Sequence, residues 1–128
     1  MIASHPGHLN DTERKALVEF TRLIQEQLDG VLLSVHLFGS KARGEGTPES
    51  DIDVLIVVKD ASWKIRKQIL HLAADICLEY DLNLSPRVWS LSHFHEMQEL
   101  QSPLYQNIQR DSIELLASRF TTDSDPLS

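Results

Sequence analysis

Two aspartates, Asp51 and Asp53, open an apolar run that continues Val54-Leu55-Ile56-Val57-Val58, and ten residues separate the first of them from the pair Gly39-Ser40. Side chains alternate along a strand, so both carboxylates project to one face, with backbone positions about 6.6 Å apart at roughly 3.3 Å per residue. Ile52 and Val54 point the other way, into a core. Carboxylates held this close repel each other and take up protons unless a cation sits between them. Mg²⁺ suits such a pair, because it binds through one or two carboxylates and fills its remaining positions with water and substrate phosphates. The Gly39-Ser40 turn offers the complementary half: the missing side chain lets backbone N–H groups approach an anion, and the Ser40 hydroxyl adds a donor. Lys41 and Arg43 follow directly and read as further donors to the outer phosphates of a nucleotide. Together these residues imply a metal-assisted phosphoryl-type transfer. Asp51 and Asp53 are its metal ligands and catalytic carboxylates, and Gly39, Ser40, Lys41 and Arg43 bind the nucleoside triphosphate. A glycine-rich hairpin whose acids merely end a strand in solvent is the bland alternative, and the context on both sides of the loop weighs against it.

The elements that must position these groups are legible in outline. Asn10 with Glu13 three residues on forms a capping-box pattern for a first helix, whose buried stripe is Leu17, Phe20, Ile24 and Leu28 and which Gly30 ends. Residues 31–38 read as a strand and 51–58 as a second; the second is apolar on both faces and so central in a covered sheet. A helix reaching about Tyr80 follows the connection at residues 59–62. Residues 82–89 read as a third strand, at an edge because of Pro86. Ser92 is read as the cap of a helix through about Leu100, Pro103 as the start of another through Gln109, and Ile113–Leu116 as a last strand. Residues 1–120 then form a single domain, after a loose lead-in over residues 1–9, and 121–128 a polar, disordered tail.

Composition bounds the function. The chain has 128 residues, 41% hydrophobic and 24% charged, as one ordinary globular domain does. A net charge of −7 disfavours stable nucleic-acid binding, which needs a basic surface, but leaves room for a nucleotide neutralised locally by metal and a few cations. Cys77 is the sole cysteine and reads as a small buried hydrophobe rather than a catalytic thiol. No run is long enough to span a bilayer and the N-terminus carries no leader pattern, so the expected location is cytoplasmic.

Gly39-Ser40 and Asp51-Ile52-Asp53, with Ala42-Arg43-Gly44-Glu45 in the loop, resemble the signature of the DNA polymerase β-like nucleotidyltransferase superfamily, and the chain's length resembles its minimal nucleotidyltransferase (MNT) branch. The resemblance covers roughly residues 31–90 and, more loosely, the chain through residue 116. It implies an α/β (α+β) fold, a small mixed β-sheet with helices packed mainly on one face. The implied reaction moves a nucleoside monophosphate from a triphosphate, here ATP with Mg²⁺, to a hydroxyl with release of pyrophosphate. Many MNT proteins are antitoxins paired with a HEPN-domain toxin, some of which they silence by adding AMP to a toxin tyrosine. A HEPN-type partner, in a hetero-oligomer or beside a homodimer, is therefore expected. A catalytically weak antitoxin that acts by binding, and a nucleotidyltransferase acting on a small molecule, are the alternatives.

One element of the family pattern is missing. The superfamily usually carries a third carboxylate on a later strand, often the base for the incoming hydroxyl, and residues 82–90 contain no acid. Asn83 or Ser85 stands in its place, and Asp81 is the nearest acid if that strand starts early. Elsewhere, His93 and His95 lie two apart on a helix and diverge, His36 reads as a satisfied sheet histidine, and Trp63 and Trp89 as packing or interface residues.

Overall fold

The computed structural model describes residues 9–47 and 49–116. Along these, the chain runs α1 (Asp11–Gln27), β1 (Leu32–Phe38), α2 (Ser40–Arg43), β2 (Ile52–Val58), α3 (Trp63–Tyr80), β3 (Leu84–Ser90), α4 (Leu91–Leu100), α5 (Pro103–Asp111) and β4 (Ile113–Leu116). The four strands form one mixed sheet in the order β3-β2-β1-β4. β1 pairs antiparallel with β2 and β4, and β2 pairs parallel with β3. The single parallel pair requires a crossover, and α3 is that crossover.

The start of α1 follows from its cap. Asn10 Oδ1 accepts the Glu13 N–H at 2.8 Å while Glu13 Oε1 accepts the Asn10 N–H at 3.0 Å, so two orphan donors are satisfied reciprocally. Leu17, Phe20 and Ile24 recur at helical spacing and are fully buried, each contributing about 1.5–3 kcal/mol of transfer free energy. They pack with α3 residues Ile69, Leu72 and Ile76 onto the sheet face formed by Val35, Leu37, Val54, Ile56 and Val58.

The alternate residues of the same strands face the other way. Leu55, Val57 and Trp89 pack under Phe94 of α4 and Tyr105 and Ile108 of α5. This explains why β2 is apolar throughout most of its length: it is central, and both of its faces are covered. The two long helices share one face as expected, and the two short ones cover only part of the opposite face. Asp53, Ser85 and Arg87 lie on that opposite face and stay wholly or partly exposed.

Two boundaries differ from the sequence expectation. Helix α4 begins at Leu91, and its N-cap is Ser90, whose Oγ accepts the His93 N–H at 3.1 Å; Ser92 is inside the first turn. Strand β3 runs straight into the helix, so the serine at the junction caps it. Asp81 adopts a left-handed conformation as the C-cap of α3, with φ 54°, and β3 starts only at Leu84. The expected lead-in lies largely, and the 121–128 tail wholly, outside the described residues. Among the described residues no helix is long and apolar enough to cross a membrane.

Candidate functional site

The site is built where β1 ends and β2 begins. Phe38 pairs with Asp53 across the antiparallel ladder, so the turn after β1 lies against the start of β2. Gly39 has φ 78° and ψ −159°, a region open essentially to glycine alone. A methyl group built on Gly39 would overlap Oδ2 of Asp53 and lie 3.2 Å from its Cγ. The glycine is therefore there for two reasons, its backbone conformation and the carboxylate seated against its Cα. Ser40–Arg43 then forms one helical turn, ended by Gly44 with φ 80°. The Ala42 and Arg43 N–H groups donate to the Gly39 carbonyl, which leaves those of Ser40 and Lys41 without an acceptor in the turn and open to an anion.

Asp51 lies just before β2 and is exposed, whereas Asp53 is half-buried on the strand. Burial first, then the charge of Asp51, pushes the Asp53 carboxyl above its ordinary value, against the opposing pull of Arg87 and Arg43. A raised carboxyl pKa means that the folded state holds the proton more tightly than the unfolded one, so stability falls as pH rises through the ordinary value of 3.8 to the folded value. At neutral pH the ionised Asp53 thus costs stability in the metal-free protein. Asp53→Asn is expected to raise the melting temperature at pH 7, with an increment that shrinks as pH falls from the raised folded value toward 3.8 and is gone below it; parallel thermal melts of the two proteins across that range check it.

The residues present fit Mg²⁺. Two carboxylates come from a rigid strand start, one has its charge opposed by burial and by its neighbour, and the facing turn has no side chain to fill the space. Among the described residues no group of three or more His, Cys, Asp or Glu gathers as a metal cluster. Asp51 and Asp53 would hold such an ion, with water and substrate phosphates left to fill its other positions, as Mg²⁺ prefers.

Not every expected site residue joins them. Arg43 remains at the rim, its Nε donating to Glu45 Oε1 at 2.9 Å, and is close enough to lower the Asp53 pKa. Lys41 turns away. Its ammonium is buried, donating to Glu13 Oε2 at 2.7 Å and to the Thr47 carbonyl at 2.8 Å. Glu13 also closes the cap of α1, so Lys41 ties the loop after α2 to the first helix. The reading of Lys41 as a phosphate donor gives way to this structural one, because both of its partners are internal.

The parallel register shows what stands in the third-carboxylate position. Asp53 pairs with Ser85 and Leu55 with Arg87. Neither Asn83 nor Asp81 is level with Asp53. Arg87 is the residue that sequence reading missed: it is exposed and electrostatically coupled to Asp53. The period-two pattern of Leu84, Ser85, Pro86, Arg87 and Val88 carried the signal, but only knowledge of the pairing turns it into a position.

His36 is separate from this chemistry. Its Nε2 lies 2.9 Å from Ser34 Oγ, and burial pushes the ring down to about 4 from 6.5. The unfolded state binds the proton that the folded state refuses, so stability is lost as pH falls from 6.5 toward 4. His36→Phe is expected to flatten that stretch of the stability curve, by on the order of 3 kcal/mol at most, as read from urea midpoints at the two ends of the window. His93 packs edge-on to Trp89, and His95 lies against Phe94, so the two rings have different neighbours.

Residues 18–115 match the protein family described as "Nucleotidyltransferase domain". The chain belongs to this family. Two proteins of Methanocaldococcus jannaschii are similar along much of their length. "Putative protein adenylyltransferase MJ0604" is 49% identical over 84 residues, covering 66% of this chain and 80% of its own. "Putative protein adenylyltransferase MJ0141" is 38% identical over 72 residues, covering 56% and 69%. Among solved structures, a chain of "the toxin-antitoxin with AMP-PNP" superposes with a TM-score of 0.56 at 17% identity, covering 89% of this nucleotidyltransferase and 79% of that chain. A chain of the toxin-antitoxin MntA-HepT gives 0.53 at 17% identity, covering 86% and 77%. At that identity the likeness concerns the fold, and it confirms the mixed sheet with its helices as a nucleotidyltransferase architecture.

Proposed function

We propose that this nucleotidyltransferase is a Mg²⁺-dependent protein adenylyltransferase that moves AMP from ATP to a tyrosine hydroxyl of a HEPN-type toxin, and so acts as an antitoxin. The observation that carries the reading is the seating of Asp53 against Gly39, which places a carboxylate pair beside a turn with free N–H groups at the open part of the sheet. The names of the two relatives support adenylyl transfer to protein, and the toxin-antitoxin context of the structural neighbours supports the partner.

In this reading the turn at Gly39-Ser40 and the Arg43 guanidinium hold the outer phosphates, and Asp51 and Asp53 hold the metal. Mg²⁺, when bound, neutralises phosphate charge and orients the reacting group. The acceptor oxygen bonds to the α-phosphorus, the bond from that phosphorus to the β-bridging oxygen breaks, and pyrophosphate leaves with the electron pair. The hydroxyl proton passes to solvent, since β3 offers Ser85 and no carboxylate beside Asp53. Incubation with labelled ATP, Mg²⁺ and the partner toxin is expected to label the toxin, and Asp51→Ala/Asp53→Ala to abolish the label. Equal labelling by the double variant would overturn the proposal.

The serine at that position favours a second reading, an antitoxin that neutralises by covering its partner. It predicts that the double variant still restores growth to cells expressing the toxin. Loss of protection together with loss of the two acids would count against it. A small-molecule acceptor has no observation in its favour.

A further inference from the structure

An open cavity of about 550 Å³ lies at the edge of β3, lined by Arg66, Arg87, Trp89, Ser90, His93 and Glu96 among others. Arg87 joins it to the site, because it lies opposite Leu55 in the parallel register, one alternate position from Ser85 and Asp53 on the same face of the sheet. Beyond the cavity, residues 61–74 carry Lys64, Arg66 and Lys67 and no carboxylate, in a chain of net charge −7. Trp63 beside them is 74% exposed, with the Lys67 ammonium 4.8 Å from its ring centroid.

This charge arrangement opposes the local physics. The first turn of α3 holds no acid, and cations at a helix N-terminus face the positive end of the macrodipole. Among the described residues no carboxylate pairs with Lys64, Arg66, Lys67 or Arg87. Glu96 is the one acid lining the cavity, and it lies 3.4 Å from His93 Nδ1. Cations without a carboxylate partner, set around an exposed tryptophan at the far end of β2 from Asp51 and Asp53 and followed by the cavity that Arg66 and Arg87 share, fit an external anionic partner.

The β3 edge is partly blocked to an added strand. Cys77 Sγ accepts the Leu84 N–H at 3.2 Å and donates to the Leu84 carbonyl at 3.7 Å, Pro86 has no N–H, and Arg66 donates to the Val88 carbonyl at 3.0 Å. These contacts occupy both outward groups of Leu84 and the carbonyl of Val88, which disfavours strand addition at this edge and favours recognition by side chains. We propose that the cationic face made by the start of α3 and the β3 edge seats a carboxylate-bearing segment of the protein that presents the acceptor hydroxyl. The inference rests on the protein-acceptor reading above and adds the chemistry of the acceptor's docking face.

The test needs no turnover, so its failure is separable from failure of adenylyl transfer. A fluorescein-labelled peptide with one tyrosine among aspartates and glutamates is titrated with the full chain, beside its asparagine/glutamine counterpart. At low salt the acidic peptide is expected to bind about tenfold more tightly, with a preference that fades as salt rises and disappears in Lys64→Ala/Arg87→Ala. The double variant should melt no lower than the parent, because a cation opposing the helix dipole has been removed. Equal binding of the two peptides, or a preference that survives in the variant, would overturn the proposal. Tighter binding of a single-stranded RNA of equal charge would reassign the face to nucleic acid.

Discussion

Gly39→Ala is expected to abolish adenylyl transfer and to destabilise the fold by on the order of 3 kcal/mol, from backbone strain and overpacking together. The added methyl would meet the Asp53 carboxylate, and it would sit on a backbone whose φ of 78° and ψ of −159° exclude a side chain. Relief of either conflict moves the turn away from β2 or rotates Asp53 out of the site. Gly30→Ala is the matched control. Gly30 also has a positive φ, 88°, but nothing lies within 4 Å of the position its Cβ would take. Only the left-handed strain of about 1–2 kcal/mol is expected there, with transfer activity retained once the protein is folded. Urea unfolding and labelled-ATP transfer on the two variants separate the conformational requirement from the carboxylate contact.

Lys41→Met carries the second large effect. The ammonium of Lys41 and the carboxylate of Glu13 are both buried, and each is the other's only ion-pair partner among the described residues. Removing the cation alone leaves a buried carboxylate uncompensated, a loss of about 3–5 kcal/mol. That is a large share of the 5–15 kcal/mol total of about this size of domain, and roughly 10–20 °C in melting temperature. Glu13→Gln/Lys41→Met is expected to recover at least half of the loss, since Gln keeps an oxygen for the Asn10 N–H while the stranded charge disappears. The recovery distinguishes a structural lysine from a phosphate-binding one: a residue whose work is to hold substrate would gain nothing in the absence of nucleotide. Thermal melts of the single and double variants, without ligand, decide it.

The two residues show where sequence reading reaches and where it stops. The capping box at Asn10, the apolar stripe of α1, the central placement of β2 and the edge placement of β3 follow from local signals: a three-residue spacing, a helical period, an unbroken apolar run and Pro86. That the Gly39 turn and the acids at the start of β2 belong together was also legible from their types and spacing, and the structure seats the Asp53 carboxylate against Gly39. Lys41 was misplaced for the opposite reason. Its partner, Glu13, is 28 residues away in the chain, and nothing in a polar loop says which of two neighbouring cations will turn inward. Arg87 was hidden by the same limit, and Ser85 stood only as one of two candidates beside Asn83: their places opposite Leu55 and Asp53 depend on a parallel register set by the α3 crossover. Cys77 read as a small buried hydrophobe, and its thiol proves to bond the backbone at Leu84, a role that exists only once the β3 edge is in place.

The most direct measurement of the central claim is calorimetric titration of the protein with AMP-PNP, with and without Mg²⁺, for the parent and for Asp51→Ala/Asp53→Ala. Two carboxylates that hold metal for a nucleotide seated at Gly39-Ser40 predict binding that requires Mg²⁺ and is lost in the double variant, while Lys41→Met, where folded, still binds. Binding of equal strength without Mg²⁺, or undiminished when both aspartates are gone, would contradict the account.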